Sequence, residues 1–231
     1  MRGTAPYIAA IIAALILGCG AGRGADIRTV RAIEFKGLRL LSKYEVVRGA
    51  RLKAVKGGIA VDVDSLEKAL EKNAFLASYS VHESGQRLVV TVEEKRPALV
   101  IAALKGGRVY FYELDVNRAV ISRNAAHSGR VPFVYVAGED MERGVPSARL
   151  MNILSILDRV REQNTSLYRE LSEMYCNENS VRVVLRGRKT GFILKPDIME
   201  FTRLNYIAGY CDHAERYPDE IDMTGGAVVV R

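Results

Sequence analysis

The chain has 231 residues, 48% of them hydrophobic and 26% charged, which supports one large domain or two small cores and argues against a largely disordered protein. Its 34 basic and 27 acidic residues leave a formal net charge of +7, which suits an anionic partner without selecting one. No dense Lys/Arg block with interleaved aromatics occurs, so no nucleic-acid partner is expected.

In chain order, the first feature is the uncharged stretch 5–17 (APYIAAIIAALIL), preceded by Arg2 and followed by Gly18-Cys19-Gly20-Ala21-Gly22. Three readings are open. It is an N-terminal hydrophobic helix that anchors the chain as an uncleaved membrane span, a secretory signal cut after Ala21 or Gly22, or a lipoprotein signal in which Ile16-Leu17-Gly18-Cys19 resembles a loose lipobox and Cys19 carries the lipid. The uncleaved anchor is favoured, with residues 1–25 as anchor or signal. All three send residues 26–231 out of the cytoplasm.

Residues 26–97 read as a small β-α-α-β-β domain. Val30, Ala32, Ile33 and Phe35 predict a strand that Gly37 ends. Ser42 with Glu45 forms a capping box for a short helix, and Asp64 is expected to cap a second helix over 65–72. Two alternating runs, 77–83 and 87–93, flank Ser84-Gly85-Gln86 as a hairpin. The apolar run then breaks at Glu93-Glu94-Lys95-Arg96-Pro97. Proline cannot donate to a strand ladder, so this break is read as a joint between two cores, with Glu93 and Glu94 as a solvated strand end.

Residues 98–231 alternate hairpins with helices, as a mixed β-sheet domain with helices does. Hairpins are expected over 98–104 with 109–112 and over 181–185 with 191–194. Short strands are expected at 116–121 and 133–136, around a loop over 124–132. Pro146 should open a helix in which Leu150, Ile153, Leu154, Leu157 and Val160 recur at helical spacing. A shorter helical run is expected over 167–174, and a further helix from Pro196-Asp197 with Ile198, Phe201, Leu204 and Ile207 inward. Extended segments at 221–223 and 227–230 close the chain. The fold class is α+β.

Chemistry-bearing patterns are sparse. His82, His127 and His213 do not share metal-ligand spacing, so no metal or cofactor is expected. Cys211-Asp212-His213 invites a nucleophile reading, but adjacent residues rarely converge on one substrate and no oxyanion-hole motif accompanies them. Glu93 and Glu94 point to opposite faces of a strand and cannot flank one bond. Gly57-Gly58 and Gly106-Gly107 are turn glycines rather than phosphate loops, with no lysine-serine after them. Cys176 and Cys211 are either a disulfide, as an oxidising compartment would permit, or two unpaired buried thiols.

The succession Ile33-Glu34-Phe35-Lys36-Gly37, Leu41-Ser42-Lys43-Tyr44-Glu45-Val46, Val63-Asp64-Ser65-Leu66 and Val92-Glu93-Glu94-Lys95-Arg96-Pro97 resembles a polypeptide-transport-associated (POTRA) domain, whose last strand commonly ends in V-x-E-x-x-P. The second block, ending Glu220-Ile221-Asp222-Met223 and Gly226-Ala227-Val228-Val229-Val230, resembles the β domain of the FtsQ/DivIB cell-division proteins. That resemblance implies a single-pass inner-membrane protein with its bulk in the periplasm or outside. It implies a non-enzymatic scaffold that binds FtsB/FtsL-like partners and helps regulate septal peptidoglycan synthesis by FtsW/FtsI-like proteins, with no small-molecule substrate. Where the family often follows its penultimate strand with an arginine and an aromatic residue, this chain has Thr224-Gly225.

Ala227, Val228, Val229 and Val230 are the expected partner-binding residues. A terminal run at a sheet edge keeps backbone groups free for a partner strand. The alternative is a POTRA-bearing component of outer-membrane protein insertion or secretion, a class that continues into a barrel of many amphipathic strands.

Overall fold

The computed structural model of the protein describes residues 26–225 and 227–230. The predicted segment 1–25, with Cys19, lies outside them. The chain divides into two compact units. Among the described residues, the first holds those up to Lys36, Lys43–Asn73 and Tyr79–Thr91; the second holds Gly37–Ser42, Ala74–Ser78 and those from Val92 onward. The fold is mixed α and β, as expected.

In the first unit the segment read as one strand is two. β1 (Ile27–Val30) and β2 (Ala32–Lys36) are separated at Arg31, whose amide donates to the Gln86 carbonyl at 2.7 Å. The break lets consecutive residues serve different sheets. β1 pairs antiparallel with β4 (Gly58–Asp62), which also pairs with β3 (Leu52–Val55), giving the order β1-β4-β3. β2 instead runs parallel to β6 (Arg87–Glu94), whose other neighbour is β5 (Leu76–Ser84). The hairpin of β3 and β4 was not anticipated. Gly58 is essential to it, because a Cβ there would lie 2.2 Å from the Val30 carbonyl oxygen.

Two helices, α1 (Lys43–Val47) and α2 (Val63–Glu71), flank the β3–β4 hairpin, so the predicted β-α-α-β-β succession is corrected to β-α-β-β-α-β-β from β2 to β6. The cap of α2 is Asp62 rather than the predicted Asp64. Its carboxylate accepts the Ser65 amide at 3.0 Å, so the helix starts two residues early and turns Val63, Leu66 and Leu70 into the core.

Glu94 corrects the reading of its stretch as a solvated end. Its carboxylate accepts three consecutive amides, from Arg39 at 3.1 Å, Leu40 at 2.9 Å and Leu41 at 3.0 Å. Three convergent N–H groups form an anion nest. The tight approach is available because Gly37, at φ +87°, has no Cβ to strike the Val92 carbonyl. Glu93 takes only the Ser78 hydroxyl, at 3.2 Å. Glu94→Ala is therefore expected to cost about 1–3 kcal/mol by stranding three amides, and Glu93→Ala to stay within about 0.5 kcal/mol. Thermal melts of the two variants check this.

The second unit is built on a nine-stranded sheet. Its strands are β7 (Pro97–Lys105), β8 (Arg108–Asp115), β9 (Val120–Arg123), β10 (Phe133–Ala137), β13 (Leu171–Cys176), β14 (Val181–Leu185), β15 (Gly191–Leu194), β16 (Glu220–Asp222) and β17 (Val229–Val230). They lie in the order β17-β16-β15-β14-β13-β10-β7-β8-β9. A small separate hairpin joins β11 (Met141–Glu142) to β12 (Val145–Pro146). Pro146 thus ends a strand, and Ser147 caps the following helix by accepting the Leu150 amide at 3.1 Å.

That helix, α3 (Ala148–Gln163), carries the predicted Leu150, Ile153, Leu154, Leu157 and Val160 into the core, against Val134, Met174, Val183 and Phe192 of the sheet. The predicted helical run 167–174 is corrected. α4 (Thr165–Glu170) stops early, and Leu171–Cys176 becomes β13, a central strand between β10 and β14. The strand predicted over 116–121 lies instead at Val120–Arg123, because Asp115 turns the chain by accepting the Asn117 and Ala119 amides at 2.9 and 3.0 Å.

Candidate functional site

The C-terminal edge of the large sheet is assembled by α5 (Ile198–Ala214), which links β15 to the parallel strand β16. Asp197 caps α5 by accepting the Met199 amide at 2.7 Å. Glu215 ends it in the left-handed region at φ 52°, its amide returned to the Asp212 carbonyl. Phe201, Leu204, Ala208 and Cys211 face the core.

β16 is firmly anchored, with Ile221 and Met223 buried and the Met223 amide donating to the Ile193 carbonyl at 2.8 Å. Asp222 then turns the chain. Its Oδ1 accepts both the Thr224 amide, at 3.0 Å, and the Thr224 hydroxyl, at 2.7 Å. Thr224 therefore helps Asp222 close this turn. The chain returns as β17, antiparallel to β16 with Val229 opposite Asp222 and Val230 opposite Ile221.

β17 is the outermost strand on this side of the sheet. Val229 and Val230 are 48% and 63% exposed, and Val228 is also exposed. One side of its backbone faces β16, and no strand among the described residues pairs with the other. The strand itself covers Val229–Val230, with Ala227 and Val228 leading into it. Such an edge offers unpaired N–H and C=O groups to an incoming strand.

One exposed feature was not anticipated. Met199, Tyr206 and Tyr210 of α5 are 70%, 74% and 72% exposed. At helical spacing they fall along one stripe, opposite Phe201, Leu204 and Ala208. The complement of the predicted inner face would have found them. Exposed tyrosines of this kind are common anchors in protein interfaces.

The remaining candidates do not converge. Cys211 packs in the core, while Asp212 pairs with Arg188 at 2.7 Å. Of the two readings left open for Cys176 and Cys211, the structure has the free thiols, one at the end of β13 and the other on α5. Burial pushes the Cys176 thiol up to about 12 and raises Cys211 as well, so neither is a thiolate nucleophile at neutral pH. Tyr135 and Tyr175 stack with ring centroids 4.6 Å apart, and the Glu173 carboxylate accepting the Tyr175 hydroxyl, aided by burial, holds that phenol at about 12. Among the described residues no group of three or more His, Cys, Asp or Glu could hold a metal ion, and no helix is long and apolar enough to cross a membrane.

No family model matches the chain, and no curated protein matches it.

Proposed function

We propose that the protein is a non-enzymatic bacterial cell-division scaffold of the FtsQ/DivIB type, a POTRA-like domain followed by a β domain that captures divisome partners outside the cytoplasm. The observation that carries this reading is β17, a short exposed strand at the end of a nine-stranded sheet, open to pairing on its outer side. The helices α1 and α2 and the closing β5–β6 hairpin of 32–94 support the POTRA assignment, with the β3–β4 hairpin added between the helices. So does Glu94, the glutamate of the V-x-E-x-x-P stretch, whose carboxylate binds the 39–41 backbone.

In this reading an FtsB/FtsL-like segment adds a strand beside Ala227, Val228, Val229 and Val230, gaining main-chain hydrogen bonds for affinity and side-chain contacts for specificity. The exposed α5 tyrosines provide further area for a protein surface. Residues 1–25 supply the inner-membrane anchor, and the complex acts on septal peptidoglycan synthesis through FtsW/FtsI-like enzymes. The test is depletion in the native bacterium. Filamentous cells with normal outer-membrane protein insertion are expected, with division proteins recovered when the chain is pulled from membranes. An insertion defect in cells of normal length would overturn the proposal and favour a secretion role.

A further inference from the structure

A second surface of the second unit lies where β10 and β13 begin and β14 ends. Arg186, just past β14, reaches across this end. Its guanidinium donates to the carbonyls of Arg169 at 3.5 Å, Gly129 at 3.4 Å and Leu171 at 3.4 Å, and its own amide donates to the Glu170 carbonyl. The loop carrying Gly129 and Arg130 is fixed from beneath. The buried Glu113 carboxylate accepts the His127 and Ser128 amides, each at 3.1 Å, and meets His127 Nδ1 at 2.8 Å. The Arg130 amide in turn donates to the Ser128 hydroxyl at 3.4 Å. Three segments distant in sequence are thus tied together, and Arg130, Arg169, Arg186 and Lys189 are exposed around the tie.

Several arginines of the same unit are neutralised by acids. Arg118, Arg149, Arg161, Arg182, Arg188 and Arg203 each meet a carboxylate. Among the described residues, no ion pair involves Arg130, Arg169, Arg186 or Lys189. Arg186 is held by neutral carbonyls alone. Collecting like charges on preorganised loops is unfavourable for the free protein and favourable only when an anion arrives.

We propose that this rim is a docking surface for an acidic peptide segment of a partner protein. Guanidinium forks match carboxylates in bidentate geometry, and three arginines with one lysine suit a short run of Glu or Asp. Glu170 and Asp212, each with 44% of its side chain exposed, lie beside the rim and are bridged by Arg188. A plane of anionic headgroups would press against these acids, whereas a short peptide need cover only the four cations. The inference is independent of the strand edge, and its failure leaves that reading untouched.

The test uses the full chain in a neutral detergent and a fluorescent oligoglutamate peptide followed by anisotropy. The triple variant Arg130→Gln, Arg169→Gln, Lys189→Gln spares the Arg186 tie. It is expected to weaken binding about tenfold or more, as loss of three exposed pairs implies. A triple variant of exposed first-unit lysines, Lys53→Gln, Lys56→Gln and Lys72→Gln, changes net charge equally and should shift affinity less than about twofold. Equal weakening by the two triples would reduce the effect to net charge and overturn the proposal. So would unchanged binding by the first triple, or displacement of the peptide by inorganic phosphate or phosphatidylglycerol-doped micelles at lower anion concentration than unlabelled oligoglutamate requires.

Discussion

Glu113→Ala is expected to destabilise the second unit by about 3–5 kcal/mol, because two backbone amides and a ring nitrogen lose a buried acceptor at about 1–3 kcal/mol each. Glu113 is fully buried on β8, opposite Val100. Its two oxygens accept the His127 and Ser128 amides and the His127 ring. Deleting the carboxylate removes their shared acceptor from the core face of β8. The His127 ring also meets Phe75 edge to face at 4.8 Å, so a loosened loop would uncover an aromatic that is only 2% exposed. For a chain of this size the loss corresponds to a fall in melting temperature of roughly 6–20 °C.

Two further variants locate the effect. Glu113→Gln keeps the shape but presents an NH2 group toward amide donors, so it should recover only part of the stability. His127→Ala leaves both backbone amides bound to Glu113 and should cost less than Glu113→Ala. Circular dichroism melts and amide exchange at His127 and Ser128 measure this. A Glu113→Ala melt within about 1 kcal/mol of the parent, with exchange unchanged, would show that the loop is held by something else.

How much of this was legible depended on whether local pattern and tertiary context agreed. α3 could be read because its apolar residues, Leu150 to Val160, repeat over about three turns. The hairpins of β5 with β6 and β14 with β15 were visible because alternating runs flank glycine turns. β13 was misread because Leu171 and Met174 are spaced as on a helix face, and helical residues precede them directly. Only burial between β10 and β14 decides in favour of a strand, and no local window contains it. The hairpin of β3 and β4 escaped because Leu52, Lys53 and Ala54 are all exposed and carry no alternation.

The candidate surfaces divide in the same way. The terminal valines were found because a β-branched run at a chain end is a strand signal by itself. Glu113 gave one clue, a lone carboxylate among Val109, Tyr110, Phe111, Tyr112 and Leu114. The pattern could not say which loop it would bind. The basic rim is invisible in sequence, since Arg130 lies on a loop, Arg169 in the last turn of α4 and Arg186 just past β14, and only the sheet order brings them together. Glu94 was seen as part of a motif, but its three amide partners are more than fifty residues away.

Partner capture through β17 predicts a particular asymmetry between proline and alanine. In an antiparallel pair, successive residues direct their backbone groups alternately toward the neighbouring strand and away from it. Val229 and Val230, opposite Asp222 and Ile221, therefore divide the work: one faces β16 and the other faces the open edge. Proline removes the donor and fixes φ wherever it stands. Of Val229→Pro and Val230→Pro, the inward variant should disturb the pairing with β16. The outward variant should melt near the parent and lose partner binding by about tenfold or more. Alanine at either position keeps the amide and trims only an exposed side chain, so binding should fall much less. Circular dichroism and melting curves establish which proline variant is folded, and partner capture from membranes is then measured on that one. Full binding by the folded proline variant, or equal loss with alanine and proline, would rule out strand addition at this edge. Scaffolding would then have to act through another surface, and the exposed Tyr206 and Tyr210 of α5 are where alanine substitutions should be tried next.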